Sequence, residues 1–222
     1  MLVGAGAVRA SAASYGWVMG AESPDGQPSS MTSALARTIA SAAVTAMLLA
    51  LVAVGPATAG TVTRDRAAEK YALGLLNCTR TGGLVKADGT CVGRGSGKHS
   101  VYRKPVRLHK NVSLKAAWPW ARTMVRLNAC EHVIAGKPSV ATRMRTSGFR
   151  YWYYGENIGC AWGTGDAVGV VLGTHRAMQA EQSSNGGHWK NIKNPKFKSV
   201  GIGVAKGNGR VMVVWDFYGK RY

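Results

Sequence analysis

The stretch Val200-Gly201-Ile202-Gly203-Val204-Ala205-Lys206-Gly207-Asn208-Gly209-Arg210-Val211-Met212-Val213-Val214-Trp215-Asp216-Phe217-Tyr218 decides the fold class of this chain. Two β-branched, aromatic-rich runs, Val200 to Ala205 and Val211 to Tyr218, flank Lys206-Gly207-Asn208-Gly209-Arg210. Such runs joined by a short Asn-Gly segment predict an antiparallel hairpin, because Asn and Gly tolerate the positive φ angles of its turn. Working back along the chain, Tyr153 to Trp162 is aromatic and β-compatible, which predicts another strand.

The segments before these strands have helical spacing. Asp65 to Asn77 opens with alternating acids and bases and continues with Ala68, Tyr71, Ala72, Leu75 and Leu76, the stripe of an amphipathic helix. Asn111 to His132 carries a second stripe through Leu114, Ala117, Trp120, Ala121, Met124, Val125 and Leu127, interrupted by Pro119, which predicts a kink or two abutting pieces. Ser139 to Ser147 reads as a short helix with Ser139 as N-cap and Gly148 as its stop. Asp166 is placed to cap an apolar helix from Ala167 to Glu181. From Lys86 to Lys104 the run is rich in Gly, Ser, Lys and Arg with no apolar period, so this segment is expected to be a surface loop or hairpin held by Cys91. Helices around a small, mainly antiparallel sheet make an α+β domain.

The first 59 residues read differently. Ile39 to Val54 is continuously apolar or small, Arg37 precedes it, and Ala57-Thr58-Ala59 follows as a small-x-small pattern. That order predicts a secretory signal over 31–59 with cleavage after Ala59, the alternative being an N-terminal membrane anchor. Residues 1–30 show no periodic pattern and are expected to be an unstructured preface or a mis-assigned start ahead of Met31. The domain proper is then 60–222.

Cys78, Cys91, Cys130 and Cys160 all follow the expected cleavage site, and none forms a Cys-x-x-Cys motif. Disulfides fit export better than free thiols, and four cysteines allow three connectivities. Cys78–Cys91 and Cys130–Cys160 are favoured, since the first pair brackets a glycine-rich loop and the second joins segments expected to meet at a cleft. The chain holds 29 Lys and Arg against 10 Asp and Glu, a net +19, and removing the leader leaves that excess intact. Such a charge points to an anionic neighbour, a cell-envelope polymer, an acidic lipid surface or nucleic acid, without choosing among them, or simply to a solvated surface. The basic residues are spread along the chain with no zinc finger, arginine-rich block or recognition helix, which argues against specific nucleic-acid recognition.

Gly155-Glu156-Asn157-Ile158-Gly159, His188-Trp189-Lys190-Asn191 and Val214-Trp215-Asp216-Phe217-Tyr218, in this order and spacing, resemble the CAP superfamily of secreted proteins. The resemblance covers roughly Leu75 to Tyr218 and implies a three-layer α-β-α sandwich with a cleft lined by two histidines and two acids. Glu156 and His188 match that cleft directly; His132 and Glu181 match its upstream histidine and second acid. Asn157 and Asn191 belong to the same motifs as structural residues.

Two imidazoles facing one cavity can ligate zinc or another divalent metal, which makes His132 and His188 the metal candidates. A plainer role stands beside each: Glu156 bracing its strand, His188 and Asn191 closing a turn, His132 satisfied at a helix end. His99, His109 and His175 match nothing and are expected on the surface. Trp152, Tyr153, Tyr154, Trp162, Trp189 and Trp215 are expected to build the core and the cleft wall. No His-Glu-x-x-His and no Gly-x-Ser-x-Gly nucleophile elbow occurs. No organic cofactor is expected. The leading expectation is a secreted, non-enzymatic CAP-type domain binding a metal or a small apolar ligand at the cell envelope. A metal-dependent hydrolase and an interaction module with a purely structural tetrad are the alternatives. No oligomeric state follows from the sequence.

Overall fold

The computed structural model describes residues 60–148 and 153–219. The expected preface, signal segment and cleavage site, together with Trp152, lie outside the described residues.

The hairpin forms as its sequence requires. Strand β6 (Ser199–Gly207) turns through Asn208 and Gly209, at φ 53° and 65°, into β7 (Arg210–Gly219). Strand β5 (Tyr153–Trp162) pairs antiparallel with β7 along its full length. On the other side of β6 lie two short strands, β1 (Thr63–Arg64), antiparallel, and β4 (Arg107–Leu108), parallel. The sheet order is therefore β1-β6-β7-β5, with β4 also on β6. A separate two-stranded hairpin, β2 (Leu84–Val85) with β3 (Cys91–Val92), begins just before the segment expected to be a loop or hairpin and takes in its first residues.

Helices cover both faces of the sheet, giving the α-β-α layering within the α+β class. On one face pack α1 (Arg66–Arg80) and α5 (Ala167–Ala180), against Val211, Val213, Trp215 and Phe217 of β7. The other face holds α2 (Lys110–Val112), a π-helical turn at Ser113–Ala117, α3 (Trp118–Leu127) and α4 (Val140–Thr146). The intervening β7 residues Met212 and Val214 point toward this layer. Period-2 alternation thus feeds two cores from one strand. Gly203 lets the second layer approach, because a Cβ there would run into the backbone of Ala117 and Trp118.

Ser139 and Asp166 cap their helices as expected, and Asp65, expected as the first residue of its helix, is the N-cap of α1. Asp65 Oδ1 accepts from Ala68 N at 3.0 Å, Asp166 Oδ1 from Gly169 N at 2.9 Å, and Ser139 Oγ from Thr142 N at 3.3 Å. Helix α1 runs three residues beyond Asn77 to Arg80, whose fully buried guanidinium donates to the carbonyls of Lys104, Ile192, Asn194 and Phe197. Pro119 has no N–H to give to a carbonyl four residues back, and the helix accommodates it with the π turn that ends at Ala117. That helix stops at Leu127, before His132, because Asn128 turns left-handed at φ 53°. Both expected disulfides, Cys78–Cys91 and Cys130–Cys160, are formed.

Three expectations need correction. His175 is not on the surface: it is 1% exposed, with Nε2 2.8 Å from Thr79 Oγ1 across the α1–α5 interface. It lies on the helix face that also carries Val171 and Met178, so periodicity buries it. Tyr153, Tyr154 and Trp162 are exposed rather than core, whereas Trp189 and Trp215 are buried. The three exposed residues stand at the two ends of β5, the edge strand of the sheet. The segment around His188 is a helix, α6 (Gly187–Lys193), not a turn.

Candidate functional site

Strand β5 sorts the site to two sides. Successive side chains alternate, so Glu156 faces the α3–α4 layer and Asn157 faces α5 and α6. On the first side Glu156 Oε1 lies 2.8 Å from His132 Nδ1, and Oε2 receives Arg143 of α4 in an ion pair. The Glu156 side chain is 2% exposed and that of His132 is 16% exposed. Arg143 is itself fixed, its guanidinium 3.8 Å over the Trp120 ring and donating to the Pro138 carbonyl at 2.9 Å.

On the second side Glu181, at the C-terminus of α5, reaches the start of α6. Its Oε1 lies 2.6 Å from His188 Nδ1, while Oε2 accepts the backbone N–H groups of His188 and Trp189 at 3.0 and 3.3 Å. A carboxylate at the N-terminus of this short helix satisfies donors that would otherwise lack partners, and it fixes the imidazole at the same time. Gly186 leaves room for it, since a Cβ there would meet the Glu181 side chain.

The two asparagines join the sides. Asn191 Nδ2 donates to the Glu156 carbonyl at 3.2 Å and to Asn157 Oδ1 at 2.9 Å, and Asn157 Nδ2 donates to the His188 carbonyl at 3.2 Å. Gly155 completes the motif because the Asn191 side chain occupies the place of its absent Cβ. Gly-Glu-Asn is thus a rail: the glycine admits Asn191, the glutamate holds one imidazole, and the asparagine holds the helix bearing the other.

The structure brings His132 to Glu156 and His188 to Glu181 as two pairs bridged by Asn157 and Asn191. Each imidazole spends Nδ1 on its carboxylate, and no described residue hydrogen-bonds Nε2. Donation from one ring nitrogen to a carboxylate is the arrangement that orients metal-ligating histidines. Among the described residues, however, no group of three or more His, Cys, Asp or Glu side chains forms a set able to hold a metal ion. The three or four donors of a resident structural zinc are therefore not assembled. Two surface grooves, of about 880 Å³ beside Leu84, Lys86, Arg176 and Gln179 and about 410 Å³ beside Lys70, Tyr71 and Arg94, are lined by none of these four residues.

Sequence reasoning missed three members of the site: Arg143, Trp120 and Asp216. Asp216 stands directly opposite Glu156 in the β5–β7 register and is 0% exposed. Its signal was available as an acid inside an otherwise apolar, aromatic strand, a position that demands a reason. Arg143 carried no such signal.

No family model matches the chain, and no curated protein matches it in sequence. One solved structure similar to it is that of an extracellular protein containing an SCP domain from Bacillus anthracis str. Ames. It is 18% identical, with a TM-score of 0.49, over 70% of this chain and 41% of that one. The present chain thus spans about two fifths of that protein's length.

Proposed function

We propose that this chain is a secreted, non-enzymatic domain of CAP type that binds an extracellular ligand between its two histidine–carboxylate pairs. The observation that carries the reading is the shared use of Nδ1: both imidazoles are held by a carboxylate, and no described residue hydrogen-bonds their Nε2. The motif resemblance of Glu156 and His188, with His132 and Glu181 following, supports the same site. A divalent cation there is an exchangeable partner, held by His132 and His188 with its remaining positions left to water or ligand. The +19 charge supports residence beside an anionic envelope polymer or lipid.

The hydrolase alternative needs a carboxylate free to take a proton from water. Both candidates are engaged, Glu156 by His132 and Arg143, Glu181 by His188 and two backbone N–H groups. This favours binding over catalysis. Calorimetric titration of the full chain with zinc, for wild type, His132→Ala and His188→Ala, tests the reading. Binding that either substitution abolishes supports it. Equal binding by all three removes the ligand role and leaves the interaction module with a structural tetrad.

A further inference from the structure

Asp216 presents an unsolved charge problem. Both of its carboxyl oxygens are buried and receive no hydrogen bond from any described donor. Its backbone is turned to β6: Val204 O, Val200 O and Ile202 N point away from β7, to Asp65, His109 and Ser113, so the alternate residue Gly201 is the one hydrogen-bonded to Asp216. Across the other side Asp216 and Glu156 therefore form a non-hydrogen-bonded cross-strand pair, the kind whose side chains approach most closely. The Glu156 carbonyl, given to Asn191 instead of β7, agrees with that phase.

With both acids ionised, the charge on Asp216 has no hydrogen-bond donor to meet it among the described residues. Glu156 comes from β5 and Arg143 from α4. Gly201 of β6 brings no side chain, and Val112 and Ser113 above it are uncharged. Tyr218, two residues along β7, is a neutral phenol pushed up to about 12 by burial. One guanidinium, Arg143, and one imidazole, His132, thus face two carboxyls in a buried site; both bind Glu156 and neither hydrogen-bonds Asp216, and a buried carboxylate without a partner is costly. A proton removes that charge and creates the missing donor.

We infer that Asp216 is a protonated carboxylic acid at neutral pH whose O–H donates to Glu156, which makes it a positioning residue for the Glu156–His132 arm of the site. Glu156 then carries the single negative charge matched by Arg143, and its carboxylate is held from Asp216, Arg143 and His132 at once. Burial first, and the neighbouring Glu156 second, push the Asp216 carboxyl well above its ordinary range, with Arg143 opposing. The importance of this arm rests on the binding reading above, but the protonation and its structural effect do not.

The test is carboxyl-carbon NMR on the full chain labelled at the aspartate side-chain carbonyl. Asp25, Asp65, Asp88, Asp166 and Asp216 give five signals, and Asp216→Asn removes one; through-bond assignment of the wild type identifies it independently. The expected result is an Asp216 signal fixed at its protonated position from about pH 4.5 to 7.5, beyond the ordinary aspartate range near 4. An Asp216 signal titrating in that ordinary range overturns the inference. Ring-nitrogen NMR of His132 then reads positioning. Asp216→Asn, which keeps a donor, preserves the Nδ1–H tautomer facing Glu156, whereas Asp216→Val, which removes it, shifts the tautomer population. A His132 spectrum unchanged in both variants overturns the positioning role. Zinc enters neither measurement, so failure of the binding reading is told apart from failure of this one.

Discussion

Replacing His175 by Gln should remove an acid-sensitive element from the α1–α5 interface. Thr79 Oγ1 donates to Gln179 Oε1 at 2.9 Å, so the His175 Nε2 beside it at 2.8 Å must carry the hydrogen and donate to Thr79. Burial pulls the imidazole from 6.5 down to about 4, so the folded chain holds it neutral at pH 7. In the unfolded chain the same ring takes a proton near pH 6.5, so below that value the unfolded state binds more protons and stability falls as pH falls. The window runs from about 6.5 to about 4, and the gap corresponds to about 3 kcal/mol at 1.36 kcal/mol per pH unit. Asp216 acts in the opposite sense: its raised value makes the folded state the stronger proton binder, and stability rises as pH falls toward its ordinary range. The wild-type curve alone mixes both, but Asp216 is common to the two proteins and cancels in their difference. Urea unfolding at pH 7, 6, 5 and 4 should show His175→Gln about 1 kcal/mol less stable than wild type at pH 7, from a disturbed hydrogen bond. The difference should reverse sign before pH 4. Parallel stability curves would refute the buried neutral imidazole.

Three further outcomes follow from other parts of the molecule. Glu181→Gln, which weakens the support of His188, should lower zinc affinity about 10- to 100-fold in calorimetry while leaving His132 chemistry intact; unchanged affinity would mean Glu181 only caps α6. Replacing Cys130 and Cys160 together by Ser opens a cross-link with a sequence separation of 30 and should cost about 3–4 kcal/mol in urea unfolding, as loop entropy predicts. Gly203→Ala should destabilise by about 1–3 kcal/mol through overpacking against the backbone of the π-helical turn; a melting temperature equal to wild type would show that the helix layer yields freely.

The strands, caps and cross-links were legible because each rests on neighbours in the chain. Asn208-Gly209 between β-branched runs favours a hairpin through its own φ preferences, and Ser139 and Asp166 cap helices with side chains reaching only three residues. Glu156 and His188 were recognisable from their motifs; of the disulfides, Cys78–Cys91 was favoured by the glycine-rich loop it brackets and Cys130–Cys160 by the segments expected to meet at the cleft. The helix at Gly187–Lys193 was not legible: it has no capping side chain of its own, and Glu181 caps it from the end of the preceding helix.

What the sequence determined by itself is the α+β class and the identity of four candidate site residues, since periodicity and motif spacing are properties of the chain. Only the tertiary structure decided how those residues are used. Strand alternation put Glu156 and Asn157 on opposite faces, and sheet register set Asp216 against Glu156 across 60 residues of chain. Packing of α4 on the sheet then delivered Arg143 to the same carboxylate. The charge on a buried acid depends on which groups surround it in space, and no local pattern of residues encodes that neighbourhood.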